Sequence, residues 1–268
     1  MEWLIELPAA LQWLSILVLL VLVGSVSRFF AARRAHTENF EQQAKHADSV
    51  STPVAASLAL LVGFAITITW GGVSAAQSST EAEAVAARQI GWSIVLNTGE
   101  TSANLPEAEA QQALRDLVTL LEVTSQPNAQ ALVSTTTERD PVDLALRAFQ
   151  QSVRQLTYNP KVQPAQSGSI QSAADAVAAA EADTNAIAQR RLPALFIFLI
   201  LITAVLLAAL QGVCLVSKPR PWAALAWAGV VALSITVVLQ MDSPFAGDIS
   251  VNRESLANVA AWISGYGQ

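Results

Sequence analysis

The chain has 268 residues, of which 53% are hydrophobic and only 13% charged, about half the charged share of an ordinary soluble protein. A net charge of −6 excludes nucleic acid as a partner, because that requires a basic footprint. One cysteine (Cys214) excludes an intrachain disulfide, and two histidines (His36 and His46) leave little for a metal cluster.

Four apolar runs are long enough to cross a bilayer, which takes about 20 residues of helix. They cover 11–30, 54–73, 192–215 and 222–239, and the only charged or histidine residue in them is Arg28, near the end of the first. The chain opens with Glu2 and Glu6 and has no Lys or Arg before Arg28, so the first run reads as a retained span rather than a signal peptide. The expected fold is all-α and integral to the membrane. It comprises a first helix pair with a basic connection (1–73), a helical extramembrane domain (74–191), a second pair (192–241), and a C-terminal turn and amphipathic tail (242–268).

Lys and Arg counts set the expected orientation. The two connections on one side hold Arg28, Arg33, Arg34, Lys45, Lys218 and Arg220; the opposite side holds Arg88, Arg190, Arg191 and Arg253. Six against four places both termini and the 74–191 domain outside a bacterial plasma membrane.

The second run continues as a helix to about residue 96, with Ala76, Ala84, Ala87, Ile90 and Ile94 on one face and a stop at Asn97-Thr98-Gly99. Along its length Gly63, Thr67, Gly71, Ser74 and Ser78 recur at spacings of four, four, three and four. Such a stripe suits close helix packing in lipid or the wall of a narrow pore, and both readings stand. The insert carries 8 basic against 13 acidic residues. Its second helix starts near Pro106 with a stripe of Leu114, Leu117, Val118 and Leu121. A third is capped by Asp140, starts at Pro141 and carries Val142, Leu146, Phe149, Val153 and Leu156. A fourth runs from about Ser169 through Arg191 and on into the third span.

No phosphate loop, dinucleotide fingerprint, nucleophile elbow or HExxH pattern occurs. Glu81 and Glu83 are two apart, so one helix does not aim both at one substrate. His36 and His46 read as surface residues and Cys214 as a small buried one. No catalytic residue, cofactor or metal ligand is assigned, and the chain reads as a non-enzyme. After the fourth span, Asp242, Pro244, Phe245 and Gly247 form a turn. A tail helix follows from about residue 250, with Leu256, Val259, Trp262 and Ile263 offering a docking face for a partner, or a cap on the chain's own domain.

Three segments carry a likeness to a known family. The second span ends in Phe64 to Trp70 and runs into Glu81-Ala82-Glu83-Ala84; the third opens Arg191-Leu192-Pro193; the fourth closes on Asp242-x-Pro244-Phe245-x-Gly247. In these the chain resembles the bestrophin-like family of bacterial four-span membrane proteins, over nearly its whole length. The resemblance implies a homo-oligomeric relative of the bestrophins, which are pentameric anion channels with aromatic constrictions along the second helix and a cytoplasmic domain. Here only Phe64 and Trp70 stand at that helix, and the charge count puts the insert outside.

Two functions follow. The first, which the sequence favours, is a non-catalytic accessory or scaffolding subunit of a larger membrane assembly, respiratory or envelope, with lipid and other membrane subunits as partners. The second is a homo-oligomeric, bestrophin-like anion channel with itself as partner.

Overall fold

The computed structural model describes residues 8–34, 40–98, 105–126, 141–217, 221–245 and 251–266. His36, Asp140, Gly99, Lys218, Arg220 and Gly247 lie outside them. The described regular structure is all helical: α1 (Ala9–Arg34), α2 (Phe40–Thr98), α3 (Glu107–Ser125), α4 (Pro141–Thr157), α5 (Pro164–Ala188), α6 (Ala194–Ser217), α7 (Pro221–Met241) and α8 (Glu254–Tyr266). They fall into two compact units, one of residues 1–72 and 191–249 and one of 73–190 and 250–268.

The first unit holds the membrane spans: α1, α6, α7 and the first half of α2 are long and apolar enough to cross a bilayer. α2 has 59 residues, about 89 Å at ~1.5 Å per residue, against a hydrocarbon core of ~30 Å. Residues 54–73 supply its apolar crossing. Pro53 sits inside it, and the Pro53 carbonyl accepts a bond from the Ser57 hydroxyl at 2.9 Å. Large apolar side chains face outward, among them Phe30, Leu60, Phe64, Trp70, Trp222 and Leu233, as lipid as solvent requires.

Inside this unit α1 packs on α6 and α7 around Ile16, Leu20, Leu58, Ala65, Ala204, Leu207, Ala232 and Ile235. Small residues let α1 and α6 approach closely, as glycine does in lipid. A Cβ on Gly212 would stand 2.3 Å from the Gly24 carbonyl oxygen, and the Ser27 hydroxyl donates to the Ala209 carbonyl at 2.7 Å. The buried amides of Gln240 and Gln12 pair at 2.9 Å. Cys214, expected buried, is half-buried.

The second unit packs α3 against α4 and α8, and α4 against α5. Its core joins Ala87, Ile90 and Ile94 of α2 to Leu117, Leu120, Phe149, Leu156, Ile170 and Val177. The α3 stripe is rotated from the expected one: Ala110, Ala113, Leu117, Leu120, Leu121 and Thr124 are buried, while Leu114 and Val118 only pack against the core. α4 buries Val142, Ala145, Phe149, Val153 and Leu156.

The fourth insert helix departs from expectation at both ends. It starts at Pro164, where Gln163 and Gln166 form a reciprocal capping box. It does not run into the third span, because Gln189 to Pro193 are non-helical. Proline disfavours helical backbone at the residue before it and offers no N–H itself, so α6 starts afresh at Ala194.

Candidate functional site: the outward face of helix two and a buried charged cluster

The stripe on α2 points away from the chain's own core. Gly63, Thr67, Gly71, Ser74 and Ser78 are all exposed, and nothing lies within 4 Å of a Cβ built on Gly63 or Gly71. The inward face of the same helix is a different set, Leu58, Ala65, Thr69, Ala76 and Thr80. Thr67 satisfies its hydroxyl on the Gly63 carbonyl at 2.9 Å, leaving its methyl outward. Phe64, Ile68 and Trp70 flank the stripe, exposed as well.

The turn after α7 is a staple. Asp242, Ser243 and Phe245 are buried, and Asp242 Oδ1 accepts the Leu192 N–H at 2.6 Å. Leu192 precedes Pro193 and has no helical carbonyl to donate to, so the carboxylate takes the place of a helix cap. Two sequence motifs fifty positions apart thus meet. Burial pushes the Asp242 carboxyl up, while the Leu192 N–H and the Arg191 guanidinium pull it down. Gly247 of the same motif is outside the described residues.

The structure places the tail on the chain's own domain. Leu256, Val259 and Ile263 are about 1% exposed within the second unit's core, and Trp262 packs against it. Trp262 rests on Trp92 with ring centroids 5.2 Å apart, next to Gly91, where a Cβ would stand 2.9 Å from the indole. Leu256, Val259 and Ile263 are therefore taken up by the chain's own core, while Trp262 stays half-buried at its edge.

Sequence reading missed one constellation. Glu83 of α2 and Glu181 of α5 are each 1% exposed and act on one another electrostatically, with Arg253 and Thr124 beside them. Arg253, just ahead of α8, donates to the Thr124 carbonyl. One turn away the Ser79 and Thr184 hydroxyls meet at 2.7 Å. Burial, then the Glu181 charge and hydrogen bond, push the Glu83 carboxyl up to about 8, against the pull of Arg253 and Thr124. Burial likewise lowers Arg253, opposed by the two carboxylates. The signal was present: Ala76, Thr80, Glu83, Ala87, Ile90 and Ile94 are spaced four, three, four, three and four, so Glu83 occupies a core position of the heptad.

Fold and site together define an all-helical, four-span membrane protein with a helical domain inserted between its second and third spans. A family model described as Bestrophin-like domain matches residues 15–256, and the chain belongs to that family. No curated protein sequence matches it. Among solved structures it is similar to a bacterial bestrophin homologue from Klebsiella pneumoniae. One such structure has 12% identity and a TM-score of 0.69 over 93% of this chain and 98% of that one. A singly substituted form has 14% identity and a TM-score of 0.68 over 94% and 97%.

Proposed function

We propose that this chain assembles with copies of itself around α2 into a membrane pore for small anions. The observation that carries the reading is the outward stripe of Gly63, Thr67, Gly71, Ser74 and Ser78, exposed along α2 with open space beside Gly63 and Gly71. Glycine and hydroxyl side chains gain little from facing lipid tails, but they allow close approach between copies and can line a narrow wet path. Membership in the bestrophin-like family supports an anion as the permeant species. The accessory-subunit reading loses the tail's apolar stripe as a docking face, because Leu256, Val259 and Ile263 are buried on the chain's own domain.

Native mass spectrometry of gently extracted protein, together with anion flux from reconstituted vesicles, tests the proposal. A ring of this chain alone, with flux that Thr67→Leu alters while assembly stays intact, is the expected result. One or two copies held by other membrane subunits, with no flux, overturns it in favour of the accessory role.

We further place the termini and the inserted domain outside the plasma membrane. The Lys and Arg count of six against four supports this side. Tyr158 is 85% exposed in the inserted domain. A cysteine there, with Cys214 replaced, labels in intact cells; labelling only after lysis reverses the assignment.

A further inference from the structure

Among its described residues the second unit buries an ionisable cluster in its core. α2 presents Ser79 and Glu83, spaced four apart, to Glu181 and Thr184 of α5, spaced three apart. The Ser79–Thr184 contact is 2.7 Å, and one turn away the Glu83 and Glu181 side chains are each about 1% exposed. Two carboxyl groups that share a site out of water do not both ionise, so the pair holds a proton. The single negative charge that remains balances the Arg253 guanidinium. Glu83 Oε1 is buried with no hydrogen-bond partner among the described residues.

We propose that Glu83 and Glu181 form a proton-binding site, charge-balanced by Arg253, whose bound proton holds α2, α5 and the start of α8 together. Without the proton, two like charges face each other out of water, which forces the contact open or draws water in. The groups acting on the pair are Glu83 from α2, Glu181 from α5, Arg253 from the tail and Thr124 from α3. From α4 the buried side chains are apolar apart from Ser152, and its Asp143–Arg147 pair lies at the surface at 2.8 Å. Glu254 of α8 is exposed.

The sign follows from linkage. The closed arrangement keeps a proton that a solvated glutamate releases near its ordinary value of 4.5, and Glu83 keeps it to about 8. Opening therefore grows more favourable as pH rises between those values, by up to about tenfold per unit, and levels off above them. The site rests on this geometry and not on the pore reading.

Hydrogen exchange on the full-length protein in nanodiscs, corrected for intrinsic rates, tests it from about pH 5.5 to 9. Peptides covering 79–86, 177–184 and 251–257 are expected to open about tenfold more per unit up to about pH 8, then plateau. Glu83→Gln, a neutral isostere of the protonated acid, is expected to stay closed with a flat profile. The wild type's infrared spectrum provides a second measurement that needs no variant, a protonated-carboxyl band at neutral pH that is lost above about pH 8. A flat wild-type exchange profile, the same slope in Glu83→Gln, or no such band overturns the proposal.

Discussion

Gly212→Ala probes the α1–α6 contact most directly. The added methyl would stand 2.3 Å from the Gly24 carbonyl oxygen and 2.9 Å from Ser27 Cβ, where ordinary contact begins near 3.4 Å. The obstacle is backbone, which cannot swing aside, so the helices must part by about 1 Å, and overpacking of that kind costs about 1–3 kcal/mol. The Ser27–Ala209 bond, 2.7 Å long, lies in the same contact and is lost at that separation. Interhelical bonds in membranes average about 0.6 kcal/mol. Alanine's better helix propensity returns at most about 1 kcal/mol, leaving a net loss of about 1–3 kcal/mol. Gly24→Ala is the internal control: its methyl meets only the Ala208 carbonyl at 3.4 Å, and stability is expected to hold or rise. Reversible denaturation of both variants in mixed micelles decides the matter. Equal stability of Gly212→Ala and wild type, or equal loss in both variants, refutes the close-approach argument.

Asp242→Ala orphans the buried Leu192 N–H and is expected to cost about 1–3 kcal/mol. Asp242→Asn keeps a carbonyl acceptor and loses less; equal midpoints for the two in the same denaturation assay contradict the staple. Gly91→Ala drives a methyl to 2.9 Å from Trp262 and 3.3 Å from Ile263. It is expected to raise hydrogen exchange in residues 254–266 while the spans stay protected, and unchanged tail exchange tells against the contact. Arg253→Met leaves the buried carboxylate charge unbalanced and is expected to lose about 3–5 kcal/mol at neutral pH. Part of that returns in acid, as the pair takes up a second proton, and denaturation midpoints that do not recover there contradict the charge balance.

The spans were legible because lipid imposes a rule a single sequence displays: about twenty residues with no charge. Helix starts were legible where proline or an acidic first turn announced them, as at Pro106 and Pro141. Pro164 was missed because its capping box uses Gln163 and Gln166 rather than Ser or Thr with Glu. The break before Pro193 was missed because an alanine-rich segment on one side and an apolar run on the other read as one helix. Periodicity found the stripe on α2 but not its direction. Gly63 and Thr67 recur at the same helical spacing as Ala65 and Thr69, and only the neighbours decide that the second pair faces inward. Glu83 was weighed against Glu81, its neighbour along the chain, whereas its partner lies 98 positions on at Glu181.

The two units bury polar groups by different chemistry. In the spans the interhelical polar partners are neutral, a buried amide pair at Gln12 and Gln240 and a half-buried hydroxyl on a backbone carbonyl at Ser27, because a charge in hydrocarbon costs several kcal/mol even when it snorkels. Outside the spans the chain keeps a mixed cluster of two carboxyls and one guanidinium in its core. Replacing such a cluster with apolar side chains is often neutral or stabilising, so stability alone does not explain why Glu83 and Glu181 sit at core positions of two separate helices. A neutral Gln–Gln pair, as in the spans, would hold the same contact at any pH. What the carboxyl pair adds is dependence on a proton, on the same helix that carries the outward stripe.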